Sequence, residues 1–105
     1  MSALHTYEAA LELTERMLAC ARSAQWDQLV ELEKARGEVL ATIGRQDPEP
    51  GRDPVARERK RRILERMIGF DEEITTLTQD WMAELRQVLV SVDTSHRLQR
   101  TYSGR

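Results

Sequence analysis

The chain has 105 residues, of which 40% are apolar and 32% charged, a mixture that excludes wholesale disorder and suits helices with one buried face. Its formal net charge of -2 provides no overall field toward nucleic acid or anionic lipid. One cysteine, Cys20, excludes an intrachain disulfide, and no stretch approaches the roughly 20 apolar residues of a membrane span. The first residues lack a secretory signal, so we expect one soluble, cytoplasmic domain.

The first segment, from about residue 3 to 23, has the pattern of a core-facing helix. Leu4, Leu11 and Leu18 belong to a face on which apolar residues recur every three or four positions. We predict that this helix breaks after residue 23 and that the Ser23 side chain caps the helix that follows.

The second segment, about residues 26–43, has a core face and a neighbouring apolar stripe. The core face consists of Leu29, Leu32, Val39 and Ile43. The neighbouring stripe consists of Trp26, Val30 and Leu40. The stretch that follows, residues 44–53, is rich in proline and glycine, so we predict a linker that ends the helix near Ile43.

The third segment, about residues 54–92, is the longest amphipathic stretch. We predict that Asp53 caps it and that Pro54 is its first helical residue. Its seam contains Ile63, Met67, Phe70, Ile74, Leu77, Trp81, Leu85, Val88 and Val92. Every step between these residues is three or four positions, which places them on one helical face.

Basic side chains crowd the start of this third helix, from Arg57 to Arg66. They form either a patch for an acidic partner or phosphates, or a solvated surface, and the pattern leaves both open. The run lacks interleaved aromatic residues and the net charge is negative, so we do not expect direct nucleic-acid binding.

The apolar pattern fades after Val92. We predict a break at residues 93–95, followed by a short, weak fourth helix or tail within residues 93–105. Leu98 and Tyr102 lie on one face of this segment. The fold class is therefore all-α, an antiparallel three-helix bundle built from a hairpin and one long helix, with a weak C-terminal element.

The lengths of these helices do not match. At 1.5 Å per residue, each of the first two helices spans roughly 30 Å, whereas the seam from Ile63 to Val92 spans roughly 45 Å. About 15 Å of apolar seam is then left uncovered by the hairpin, a surface that a monomer rarely exposes without use. The C-terminal segment, a second copy of the chain or a partner protein could cover it.

The sequence has no recognisable catalytic, cofactor or metal site. His5 and His96 are far apart, and neither has a second His or Cys at ligand spacing. A glycine-rich phosphate loop is also missing from the sequence. We therefore expect a protein that is not an enzyme. Trp26 fits either an interface anchor or the core, whereas Trp81 lies on the seam and is expected in the core.

Two stretches resemble the flagellar FliT family. The first is WDQLVELEKAR, from Trp26 to Arg36, which follows an amphipathic helix. The second runs from Ile63 to Leu85 and contains DEEI at residues 71–74 and WMAEL at residues 81–85. The likeness extends over about residues 4–102. It implies an all-α antiparallel bundle and a cytoplasmic type III export chaperone, which holds the filament cap protein soluble before export.

The resemblance also implies docking on components of the export apparatus. Some family members bind the flagellar master transcriptional activator and act as negative regulators. In the family, a C-terminal helix covers the client groove, a role that would fall here on Leu98 and Tyr102.

From the residues themselves, we expect a client helix to lie in an apolar groove, with no bond made or broken. The expected partner-binding residues are Trp26, Val30, Leu40, Leu64 and Ile68. Two alternatives remain open at this point: a regulator that sequesters a transcription factor, and a structural helical homodimer whose seam closes on a second copy.

Overall fold

A computed structural model describes the backbone of residues 3–46 and 53–103, and the side chains of residues 3–46 and 53–98. It contains three helices: α1 (Ala3–Arg22), α2 (Trp26–Gln46) and α3 (Pro54–Ser103). The described residues form no strand, and the all-α prediction is confirmed. Within these same ranges, no helix has the length and apolar content that crossing a bilayer requires.

The chain divides into two compact units, Met1–Thr75 and Thr76–Arg105. The first unit holds α1, α2 and the N-terminal turns of α3. The second unit holds the remaining turns of α3. Because tertiary packing stabilises most helices in proteins, the first unit is where the fold is fixed.

Side-chain contacts show that α1 and α2 run in opposite directions. Near the start of α1, the Thr6 hydroxyl donates a hydrogen bond to Gln46 at the end of α2, at 2.9 Å. At the other end of the pair, the Cys20 thiol contacts the Gln28 side-chain oxygen at 3.8 Å. The start of α1 therefore lies beside the end of α2, and the end of α1 lies beside the start of α2. The two helices form an antiparallel hairpin.

Helix α3 runs parallel to α1 and hence antiparallel to α2. Arg66 lies 3.4 Å from Glu15, and Arg22 lies 2.7 Å from Glu73. Both pairs join residues of α1 to residues of α3 that are 51 positions later in the sequence. The first unit is therefore an up-down-up bundle, as the sequence predicts.

The core of this bundle comes from all three helices. Its main cluster contains Tyr7, Ala10, Leu11, Ile43 and Met67, with Ala3, Val39, Ile63 and Phe70 packed around it. The α3 members recur at steps of four and three residues, and those of α1 follow the same spacing with Leu11 directly after Ala10, so each helix presents one apolar face. This agreement between period and burial confirms the seam predicted for residues 63–74.

Arg36 connects the three helices through a partly buried polar contact. Its Nη1 atom donates to Asp71 Oδ1 on α3 at 2.6 Å and to Thr14 Oγ1 on α1 at 3.3 Å. Only 15% of the Arg36 side chain is exposed. The buried Thr14 hydroxyl in turn donates to the Ala10 carbonyl at 2.9 Å, so this buried polar group is satisfied.

The turn after α1 differs from the prediction. Ser23 does not cap α2, because its hydroxyl donates back to the Ala19 carbonyl at 2.9 Å. The backbone N–H of Gln25 bonds to the Cys20 carbonyl, and that of Ala24 bonds to the Ala21 carbonyl, a Schellman motif. Such a motif needs a left-handed residue, and Ala24 takes that role with φ 57°.

Helix α3 begins as the sequence predicts. The Asp53 carboxylate accepts a hydrogen bond from the backbone N–H of Val55 at 3.0 Å, and Pro54 is the first helical residue. Helix α2, however, continues past Ile43 to Gln46. Gly44 weakens a helix without ending it, whereas the first proline comes only at Pro48. Residues 47–52 of the predicted linker lie outside the described residues.

The predicted break at residues 93–95 does not occur, because α3 continues to Ser103. Asp, Thr and Ser favour helix caps, yet none of them removes a backbone hydrogen bond as proline does. Asp93 instead pairs with Arg97, one turn later, at 3.0 Å. The residues of the expected fourth helix are thus the last turns of α3.

Replacing Ala24 by glycine should stabilise the protein. An L-residue with a Cβ is strained in the left-handed conformation, and glycine relieves about 1 kcal/mol of that strain. We expect the free energy of unfolding, measured by urea denaturation, to rise by about this amount. The control Ala41→Gly, at an exposed position inside α2, should lower it by about 1 kcal/mol. A decrease in both variants would contradict the assigned strain.

Removing the Arg36 side-chain contacts should cost more than removing an exposed ion pair. Arg36→Met loses its hydrogen bonds to α1 and α3, so we expect a loss of about 1–2 kcal/mol in the free energy of unfolding. Arg22→Met breaks the exposed pair with Glu73 and should cost less than about 1 kcal/mol. Equal losses in the two variants would show that Arg36 has no special role in the bundle.

Candidate interaction surface

Ion pairs identify the two flanks of α3 within the first unit. Asp71 contacts Arg36 of α2, whereas Arg66 and Glu73 contact α1. Side chains that share the angular position of Asp71 therefore lie on the α2 side of α3. At about 100° per residue, Leu64 lies roughly 20° and Ile68 roughly 60° from Asp71 around the helix. Both side chains belong to the α2 flank and point away from the core face.

Leu40 lies on the corresponding flank of α2, the one that faces α3. It follows Arg36 by one turn and lies roughly 40° from it around the helix, on the side that faces α3. Leu40, Leu64 and Ile68 are exposed by 39%, 40% and 58%. We call these three residues the apolar strip. It lies along the α2/α3 edge of the bundle, beside the Arg36–Asp71 pair.

The structure separates the remaining two predicted partner-binding residues from this strip. Val30 is 48% exposed, but it lies roughly 120° from Arg36 around α2, on the outer face of the helix. Trp26 is half-buried and precedes Arg36 by ten residues, about 15 Å along the helix axis, whereas Leu40 follows Arg36. The exposure of Val30 agrees with a position outside the core, whereas the apolar strip is formed without it or Trp26.

The sequence pattern alone does not identify the polar end of the strip. It shows Asp71 only as a charged residue next to the apolar seam of α3. The structure places its carboxylate next to Arg36, one turn beyond Ile68. The signal in the sequence was weak, because Arg36 is one of several charged residues in α2 and only tertiary packing shows which charge it meets.

Much of the positive charge at the start of α3 is neutralised within the first unit. Arg61 donates hydrogen bonds to Glu58 and to Glu65, and Arg62 lies 3.2 Å from Glu58. Two other cations lie over aromatic rings: Lys60 is 5.6 Å from the Tyr7 ring centre, and Arg66 is 5.8 Å from that of Phe70. These contacts favour the solvated-surface reading of the basic run over a patch for phosphates.

The second unit carries a separate exposed apolar surface. Five of its exposed apolar side chains recur at helical spacing, namely Met82, Leu85, Val88, Leu89 and Val92, whereas Val90 and Leu98 are exposed outside this pattern. We call these five residues the distal stripe. Leu85, Val88 and Val92 belong to the predicted seam, and they stay exposed as the helix lengths indicate. Trp81, expected in the core, is half-buried.

The residues assigned to a groove cover fall at the end of α3. Leu98 is exposed, and the side chain of Tyr102 lies outside the described residues. Neither belongs to a separate helix, since α3 is continuous through this segment. Among the described residues, no three His, Cys, Asp or Glu side chains converge as a metal site would require.

The comparisons with known proteins agree on one family. The sequence model of the family described as "Flagellar protein FliT" matches residues 4–104. A curated protein of that name from Cronobacter sakazakii is 30% identical over 89 residues, which cover 85% of this chain and 73% of the relative. Another, from Citrobacter koseri, is 30% identical over 101 residues, covering 96% and 83%. No solved structure matches the chain.

The pH dependence of stability should report the Glu58 ion pairs. Hydrogen bonds from Arg61, and secondarily from Arg62, lower the pKa of Glu58 from 4.5 to about 2. Because this pKa is lower in the folded state, the stabilisation is complete above pH 4.5 and is lost as the pH falls toward about 2. Glu58→Gln should therefore lose less stability than the wild type across this range, as measured by urea denaturation.

The control for this prediction is Glu12→Gln, which removes an exposed carboxylate of α1 outside these ion pairs. Its stability should follow the wild-type pH profile. If Glu58→Gln and Glu12→Gln flatten the profile equally, the Arg61 contacts do not lower the pKa of Glu58.

Proposed function

Because the chain belongs to the FliT family of flagellar proteins, we propose that it is a cytoplasmic chaperone of flagellar type III export. Its client would be the filament cap protein, bound before secretion. The observation that supports this proposal most directly is the apolar strip, three large aliphatic side chains that are 39–58% exposed along one edge of the bundle. An amphipathic client helix can lay its apolar face on such a surface.

The strip alone supplies too little free energy for a firm complex. Each of its side chains is already partly buried, so covering all three contributes about 3 kcal/mol. A micromolar complex requires roughly 8 kcal/mol. A client must therefore make further contacts beyond these three side chains.

This mode of binding suits a chaperone because it is reversible and involves no covalent step. Aliphatic contacts hide the client's apolar face, which would otherwise promote self-association. Rim charges and modest buried area allow release when the client passes to the export apparatus. We extend the proposal to docking on export components, and to sequestration of the flagellar master transcriptional activator as an alternative role.

Self-association is a second candidate function, favoured by the distal stripe. The five exposed apolar side chains of the distal stripe would be covered if two copies of the chain paired there. Such a homodimer is compatible with chaperone activity, because pairing protects apolar surface while no client is bound. A homodimer that ignores the client would instead be a structural protein.

Ile68→Asp should abolish binding of the client without unfolding the bundle. The charge enters the middle of the apolar strip, and leaving it desolvated in a complex is costly, so we expect at least about a 30-fold weaker affinity. The probe is the C-terminal fragment of the cap protein from the same organism, and isothermal titration calorimetry measures its affinity. Circular dichroism should show unchanged helicity, since Ile68 is exposed.

The matched control is Val55→Asp, which introduces the same charge at an exposed aliphatic residue near the start of α3. It should bind the fragment as the wild type does. Light scattering with and without the fragment measures the mass of the complex. Wild-type affinity in Ile68→Asp would remove the strip from the proposal, and a stable dimer that does not bind the fragment would favour the structural role.

A further inference from the structure

We infer that Asp71 is a specificity-determining residue of the apolar strip. The partner that fits is an amphipathic helix with a Lys or Arg about one turn beyond the apolar side chains that cover Leu64 and Ile68. This inference rests on the proposed function, because it names the chemistry of the partner at that same surface. It assigns to Asp71 a contact that the fold of the chain alone does not use.

The geometry of Asp71 leaves half of its carboxylate available. Oδ1 accepts the hydrogen bond from Arg36 at 2.6 Å, whereas Oδ2 accepts no hydrogen bond from the residues whose side chains are described. The Asp71 side chain is 42% exposed. An ionised carboxylate has about four acceptor positions, so the Arg36 contact does not exhaust it. The free oxygen can therefore accept a donor from a partner.

Asp71 lies at one end of the strip, in line with it. It follows Ile68 by three residues and Leu64 by seven, which are neighbouring positions on one face of a helix. Three residues correspond to about 4.5 Å along the helix axis. A helix lying along the strip would thus bring a side chain one turn past its apolar contacts to the carboxylate.

The distribution of charge along α3 determines which donor fits. Residues 54–68 contain six basic and two acidic side chains, whereas residues 69–84 contain five acidic side chains and no Lys or Arg. The strip lies where the sign changes, with Asp71 on the acidic side. A cationic donor therefore fits the Asp71 end, and an acidic side chain of a partner would be repelled there.

Glu73 provides a comparison within the same helix. It carries the same charge, is 44% exposed, and pairs with Arg22 at 2.7 Å, much as Asp71 pairs with Arg36. Glu73 lies on the α1 flank, however, away from Leu64 and Ile68. If the partner contacts Asp71, a substitution at Asp71 should weaken binding of the partner, whereas the same kind of substitution at Glu73 should not.

The experiment measures the affinity of the cap-protein fragment for Asp71→Asn and Glu73→Gln at two salt concentrations. Each variant loses one carboxylate and keeps an acceptor for its arginine. We expect Asp71→Asn to bind about fivefold more weakly at low salt and to show a smaller salt dependence than the wild type. Glu73→Gln should differ from the wild type by less than about twofold.

A purely structural role of Asp71 is tested with Arg36→Met. This variant frees the whole Asp71 carboxylate while weakening the bundle, so it should bind the fragment as tightly as the wild type or more tightly. Weaker binding by Arg36→Met and Asp71→Asn alike would overturn the inference. A fragment in which the matching Lys or Arg is changed to Gln should bind the wild type more weakly, and should bind Asp71→Asn as the unchanged fragment does. The inference is overturned if no basic residue of the fragment gives this result.

The outcome for Ile68→Asp separates this inference from the proposed function. If Ile68→Asp abolishes binding while Asp71→Asn binds like the wild type, the strip holds the client and Asp71 does not select it. Wild-type binding by both variants overturns the strip and the inference together. If light scattering shows a second copy of the chain on the strip in place of the fragment, the inference also fails.

Discussion

The guanidinium of Arg36 joins all three helices of the first unit and is the partly buried polar contact that constrains how they pack. Apolar contacts are tolerant of small shifts along a helix, whereas a hydrogen bond at 2.6 Å to Asp71 is not. The contact is partly buried, so water competes for it weakly. It also relates the exposed sides of α2 and α3. Leu40 lies one turn from Arg36 and Leu64 two turns from Asp71, so the apolar strip lies beside this interaction on the edge formed by α2 and α3.

This arrangement explains how a small bundle keeps a binding surface without losing its core. The core faces of the three helices are occupied by one another, and the strip comes from positions beside those faces. Side chains at such boundary positions are half-exposed, so they contribute modestly to folding and remain available to a partner. Charges at the start of α3 pair mostly with neighbouring carboxylates and aromatic rings. In the first unit, the apolar strip is therefore a better candidate for binding a partner than the basic residues at the start of α3.

The two deviations from simple local rules have a common physical origin. Ala24 occupies a conformation that glycine would prefer, and α3 continues through three cap-forming residues near position 93. In the first case, the Schellman hydrogen bonds and the packing of the hairpin outweigh the strain of one residue. In the second, helix propagation continues because no proline interrupts its hydrogen bonds. Local conformational preferences of about 1 kcal/mol per residue are outweighed by the interactions of the surrounding structure.

Periodicity alone determined the all-α class, the three helices, the start of α3 at Asp53-Pro54 and the excess of apolar seam beyond the hairpin, because these follow from spacing and capping chemistry within each segment. It also selected Leu40, Leu64 and Ile68 as boundary positions. Only tertiary packing decided that Leu40 lies on the same side of the Arg36–Asp71 pair as Leu64 and Ile68, with Val30 and Trp26 on the other side of Arg36 along α2. The register of one helix against another is fixed by contacts between distant residues. The pairing of Arg36 with Asp71, 35 positions apart, is such a contact, and no pattern within either segment specifies it.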